Sequence, residues 1–102
     1  MTVMAELSVA PIGTGSTELS AFVTEALKVI KRAKEIKWQL TPMGTIIETD
    51  SLDKLFNLVR EAHEALFKSG AKRVSTFVKI DDRRDISGER MKKKVDSVLS
   101  KI

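Results

Sequence analysis

The chain has 102 residues, room for one domain of roughly 100–200 residues, and its 42% apolar and 31% charged content is that of a folded globular domain. With no cysteine and a single histidine, His63, the sequence excludes disulfides, thiolate metal centres, iron–sulfur clusters, cysteine nucleophiles and any site needing two imidazoles. The formal charge of +4 is uneven, because residues 1–67 carry 7 basic and 9 acidic side chains whereas residues 68–102 carry 11 and 5.

Residues Val3 to Ile12 alternate, with Val3, Ala5, Leu7 and Val9 on one side and Met4, Glu6 and Ser8 on the other, as a strand with one buried face requires. Pro11 and Gly13-Thr14-Gly15-Ser16 end it. From Leu19 the spacing of Phe22, Val23, Ala26, Leu27, Ile30 and Ala33 predicts a helix over about Thr17 to Lys34. Trp38 to Thr41 and Thr45 to Thr49 alternate again around Pro42-Met43-Gly44, which predicts a β-hairpin. Asp50 or Ser51 then caps a second helix with Leu52, Leu55, Phe56, Val59, Ala62, His63 and Leu66 in its stripe, closed by Gly70. A last strand is expected over Arg73 to Asp81. After a charged turn, Asp81 to Asp85, Ser87 is expected to cap a third helix with Met91, Val95, Val98, Leu99 and Ile102 on one side.

The order is βαββαβ plus one helix, expected as a single domain over residues 1–102. Two helices of one-sided character cover only one face of a four-stranded sheet, so the expected fold is an α/β (α+β) ferredoxin-like sandwich with an antiparallel sheet, strands one and three central, and an additional C-terminal helix. The face opposite the helices carries Glu6, Ser8, Gln39, Thr41, Ile46, Glu48, Ser75, Phe77 and Lys79. That mixture suits an oligomer interface enclosing a small polar site.

Each motif has a functional and a structural reading. Glu6 and Glu48, if close, raise each other's pKa or require a cation between them; alternatively Lys79 pairs with Glu6 across the sheet. Thr41 to Thr45 is first a turn, since Pro cannot sit inside a central ladder, yet its hydroxyls and backbone groups could fix a small ligand. Gly13 to Ser16 lacks the lysine and spacing of a P-loop and reads as a strand-to-helix loop. His63, at the edge of a helical stripe, reads as a core or boundary histidine. Phe77 could stack on a flat heterocycle or pack against a second copy. The cluster Arg90, Lys92, Lys93, Lys94 spreads round a helix as a solvated face, and the two central strands carry no aromatic for RNA, so nucleic acid is not expected. No apolar run approaches the roughly 20 residues that cross a bilayer, and residues 1–11 lack a basic leader segment, which predicts a cytoplasmic protein.

The runs Val9-Ala10-Pro11-Ile12-Gly13-Thr14-Gly15, Leu40-Thr41-Pro42-Met43-Gly44-Thr45-Ile46-Ile47-Glu48, His63-Glu64-Ala65-Leu66-Phe67 with Gly70-Ala71-Lys72-Arg73-Val74, and Val78 to Asp85 resemble the small thiamine-binding, YkoF-like family. The resemblance spans nearly the whole chain. It implies a ferredoxin-like fold, dimers assembling into tetramers, and in some members binding of thiamine or its hydroxymethylpyrimidine part. Thiamine is a cation with an aminopyrimidine edge, which suits carboxylates, hydroxyls and one aromatic face. The expected site is therefore Ser8, Thr41, Gly44, Thr45, Glu48 and Phe77, with Glu6 in support, at the sheet near the hairpin and a subunit boundary. Thr45 depends on the hairpin register, since a two-residue turn puts it on the face of Leu40 rather than of Glu48. With no nucleophile and base pair in view, binding without catalysis, cofactor or metal is expected. The alternative is a structural or regulatory oligomeric interaction module with no small-molecule ligand.

Overall fold

Alternation along β1 (Thr2–Pro11) decides which way the sheet faces, because Val3, Ala5, Leu7 and Val9 are buried while Glu6 between them is exposed. In the computed structural model, which describes residues 2–86 and 88–102, the chain continues as α1 (Ser20–Arg32), β2 (Lys37–Thr41), β3 (Gly44–Thr49), α2 (Leu52–Lys68), β4 (Val74–Arg83) and α3 (Met91–Leu99). The strands form one sheet in the order β2-β3-β1-β4, every neighbouring pair antiparallel. This is the expected ferredoxin-like sandwich with β1 and β3 central.

The core lies between the sheet and two helices. Ala26, Val29 and Ile30 of α1 and Leu55, Leu58, Ala62 and Leu66 of α2 close on β1 and on Ile47 of β3. Ile30, Ile47, Leu55 and Leu66 are fully buried, each worth about 1.5–3 kcal/mol of transfer free energy. The α2 stripe is rotated from the expected one: Leu58 is buried and Phe56 is exposed. Ser51, of the two expected caps, accepts the Lys54 N–H at 3.3 Å. At the other end Gly70, at φ 105°, donates to the Phe67 carbonyl while Ala71 donates to that of Leu66, the double bond that a glycine in the left-handed region allows after a helix.

Helix α1 is shorter than the expected Thr17 to Lys34. The hydroxyl of Ser16 accepts the Glu18 N–H at 3.0 Å, and the Glu18 carboxylate accepts the Ser20 N–H at 3.1 Å, so local side-chain bonds satisfy the backbone before the helix begins. Strand β4 is longer than expected, running to Arg83 because Asp81, Asp82 and Arg83 pair with Met4, Val3 and Thr2. The hairpin turn has two residues, Pro42 and Met43, since Thr41 pairs with Gly44. The Thr41 hydroxyl locks it, donating to the Gly44 carbonyl at 2.7 Å and accepting the Gly44 N–H at 3.1 Å.

The C-terminal helix departs most from expectation. Its expected cap, Ser87, lies outside the described residues, and its apolar stripe is not buried, since Val95, Val98, Leu99 and Ile102 are all exposed. Instead α3 is fastened at its first turn. The Arg90 N–H donates to the Glu48 carboxylate, and the Arg90 guanidinium, in a side chain 6% exposed, pairs with the Asp81 carboxylate at 3.0 Å and donates to the Asp81 and Thr2 carbonyls. Lys94 joins Asp81 at 2.6 Å. With α3 attached in this way the radius of gyration is 14.7 Å, above the ~13 Å of a compact 100-residue domain.

Two predictions follow from this architecture. A Cβ on Gly44 meets the Leu7 carbonyl oxygen at 2.9 Å, so Gly44→Ala should destabilise the fold by about 1–3 kcal/mol in chemical denaturation. The Lys94 ammonium and Arg90 guanidinium hold the Asp81 carboxyl below its ordinary value of 3.8. A depressed carboxylate stabilises above its unfolded pKa and loses that contribution as pH falls through the folded one. Hydrogen-exchange protection of residues 94–99 is therefore expected to be flat from pH 7 to pH 5, to fall only in strong acid, and to be reduced at every pH in Arg90→Ala.

Candidate functional site

A crevice of about 230 Å³ opens between α1 and the hairpin at one end of the sheet. Its walls are Val23, Leu27 and Ile30 from α1, the β1 stretch from Leu7 to Ala10, and the hairpin from Leu40 to Thr45. The sequence builds it from two local facts. The helical spacing of Val23, Leu27 and Ile30 turns three side chains toward the sheet end, and the two-residue turn points Thr45 to the same side, in register with Leu7 and Leu40. Thr45 is 6% exposed and brings a hydroxyl to a largely apolar wall. The Thr41 hydroxyl is committed to its own turn, which leaves Thr45 as the hairpin hydroxyl available to a ligand. No ionised side chain among the described residues lines the crevice.

The seven residues expected at the site separate into three groups. Ser8, Thr41, Gly44 and Thr45 all border the crevice, but of these Thr45, in register with Leu7 and Leu40, turns its side chain to the helix side, whereas Ser8 shares the open face of its ladder partner Phe77. Glu6 faces the other way, exposed, opposite Lys79 and Ile46 in the ladder, and lines a cavity of about 410 Å³ with Lys79, Asp81 and Lys94. Phe77, 63% exposed, sits opposite Ser8 on β4 on the same open side. Glu48 is 6% exposed beneath the start of α3, where it accepts the Arg90 N–H. Because Glu48 pairs with Met4 and not with Ser8, it stands four residues along β3 from Gly44, about 13 Å at the usual strand rise. Glu48 and the hairpin hydroxyls are thus at opposite ends of one strand, and the electrostatic role expected for Glu48 at the hairpin does not fit the register.

The solvated face expected of Arg90, Lys92, Lys93 and Lys94 holds for the three lysines and not for Arg90, which is buried, and the α1 wall of the crevice was not expected. The alternation and the turn chemistry carry the hairpin, but which helix lies over it is a matter of crossover packing. Arg90 stands in a run of basic residues that resembles any solvated helix face, and nothing local marks it for burial. His63 is a boundary residue: its Nδ1 lies 2.6 Å from the Thr76 hydroxyl and its ring meets Phe67 edge-on at 5.4 Å.

Comparison with known proteins agrees with this fold. The chain is 43% identical to a UPF0045 protein of Methanothermobacter thermautotrophicus over 98% of its own length and 99% of the relative's, and 40% identical to the UPF0045 protein YqgV of Bacillus subtilis over 93% and 92%. Among solved structures it superposes on a hypothetical protein of Methanocaldococcus jannascii with a TM-score of 0.84, 32% identity and 96% coverage of both chains. A Thermotoga maritima protein assigned provisionally to thiamine biosynthesis or salvage shares the fold, with a TM-score of 0.80 at 21% identity over 96% of this chain and 99% of that one. A family model described as thiamine-binding protein matches residues 5–99, and with these relatives it shows that the chain belongs to that family.

Proposed function

We infer that the protein is a non-enzymatic binder of thiamine or its hydroxymethylpyrimidine part, working as one domain in the cytoplasm, with the pyrimidine ring seated in the crevice between α1 and the hairpin. The observation that carries this reading is the crevice itself: apolar walls, the hydroxyl of the largely buried Thr45, and a volume of about 230 Å³. Sites for whole drug-sized ligands run to about 300–1,000 Å³, so this one suits a single substituted ring. Uncharged walls give the thiazolium cation nothing to pair with, and that half is expected to remain at the mouth near the exposed Met43. Thr45 supplies the hydrogen bond that orients the ring. The family's description supports the ligand class, and His63, bonded to Thr76, is outside the crevice, so the proposal assigns it no proton transfer. Among the described residues no helix is long and apolar enough to cross a membrane, and no nucleic-acid partner is proposed.

Self-association belongs to the same reading. The sheet face opposite α1 and α2 and the apolar stripe of α3 expose Phe77, Val95, Val98 and Leu99, more apolar surface than a chain of this size leaves to water without a partner. A homodimer assembling to a homotetramer would cover it. The same exposure favours the second reading, an interaction module without a small ligand, and the two separate on titration.

Calorimetric titration should show saturable binding of hydroxymethylpyrimidine, with thiamine within about fivefold because the cation adds little. Thr45→Val, which keeps shape and removes the hydroxyl, should weaken both about tenfold, the equivalent of one neutral hydrogen bond at ~1.4 kcal/mol. Absence of heat with either compound would support the interaction module instead. Sedimentation equilibrium should show an oligomer at micromolar concentration, and Val98→Asp should shift it toward monomer; a wild-type monomer overturns the proposed assembly.

A further inference from the structure

We propose that the end of the sheet beneath the start of α3 is a second site, distinct from the hairpin crevice, that takes a small ammonium-bearing molecule with N–H donors. The carrying observation is Glu48. It is 6% exposed, one of its oxygens accepts the Arg90 N–H, and the other, Oε2, is buried with no partner. A carboxyl oxygen left in this state is costly for a fold, because burial removes water without returning a hydrogen bond.

The side chains around Glu48 explain why no group among the described residues fills the place. Lys37 is its direct neighbour across the β2–β3 ladder, but the Lys37 ammonium pairs with Glu89. Lys54 is likewise engaged, by Glu35 at 2.6 Å and Asp50 at 3.0 Å. A cavity of about 310 Å³ opens at this point, lined by Glu48 together with Glu35, Asp50 and Glu89, with Lys37 the one basic side chain among the described residues of its wall. The surplus of carboxylates attracts a cation, and the orphaned oxygen requires a donor. An ammonium group supplies both. Among the described residues no group of three or more carboxylates or imidazoles is placed to hold a metal ion, which favours a nitrogen cation over a divalent metal.

Amide NMR of the full chain, titrated with methylammonium, tetramethylammonium and potassium chlorides at constant ionic strength, tests this. Methylammonium should produce a saturable shift of the Thr2, Thr49 and Gly88 amides and of the Glu48 side-chain carboxyl carbon. Tetramethylammonium, with the same charge and no N–H, and potassium should produce none. Glu89→Gln, which leaves the Arg90 to Glu48 bond in place, should weaken methylammonium by about threefold, and Glu48→Gln by at least about tenfold. Lack of a saturable methylammonium shift in the wild type, an equal response to all three cations, or an unchanged affinity in Glu48→Gln would overturn the proposal. Thr45→Val should leave the methylammonium response untouched, so failure of the hairpin reading and failure of this one are separately visible.

Discussion

Two helices cannot cover both faces of a four-stranded sheet, and most of what distinguishes this protein descends from that constraint. Because α1 and α2 take the face of Val3, Ala5, Leu7 and Val9, every second residue of β1, β3 and β4 faces away from the core. The chain secures only one end of that second face for itself. Arg90 and Glu48 are buried there together, and desolvating a guanidinium is tolerable only because Asp81 and the carbonyls of Thr2 and Asp81 receive it. The fastening is polar throughout. It fixes where α3 starts and leaves the apolar stripe of the helix free to meet something else.

The same constraint shapes the other side. The sheet edge at β2 is poorly covered, with Trp38 and Leu40 partly exposed, and the gap between α1 and the hairpin becomes a crevice rather than core. Gly44 tightens its far wall by letting β3 run against the Leu7 carbonyl. Thr41 closes the turn with three hydrogen bonds and so fixes the side to which Thr45 points. In the function proposed above, ligand recognition and assembly fall on opposite faces of one sheet.

How far the sequence could be read follows from which signals are local. Strand alternation, the Ser51 cap, the Gly70 stop and the Pro42-Met43 turn are properties of neighbouring residues, and they give the element order and the central positions of β1 and β3. Register is not local. Glu48 and Ser8 both lie on central strands, but whether they meet depends on pairing between Met4 and Glu48, which no window of the sequence contains. The phase of α2 has the same origin, since Phe56 and Leu58 are equally apolar and only the packing of α2 against β1 selects Leu58. For α3 the stripe was legible and its burial was not, because an amphipathic helix carries no mark of whether its apolar side meets its own chain or another.

Strand β3 also sets how the two proposed sites relate. Gly44 and Glu48 are its ends in functional terms, about 13 Å apart, with the crevice on the helix side of the sheet and the Glu48 cavity at its opposite end. Two unit charges at that separation interact by roughly 1.3 kcal/mol at an effective dielectric of about 20, before salt screening over a Debye length of ~8 Å reduces it further. A neutral pyrimidine in the crevice carries no net charge into that interaction. Coupling between the sites would then have to pass through β3 itself, whose Ile47 is fully buried and whose backbone is paired on both sides. A strand buried and paired in that way resists rearrangement, and coupling between sites requires an element with two arrangements. The geometry therefore favours independent occupancy of the two proposed sites, one built on shape and a hydroxyl and the other on charge.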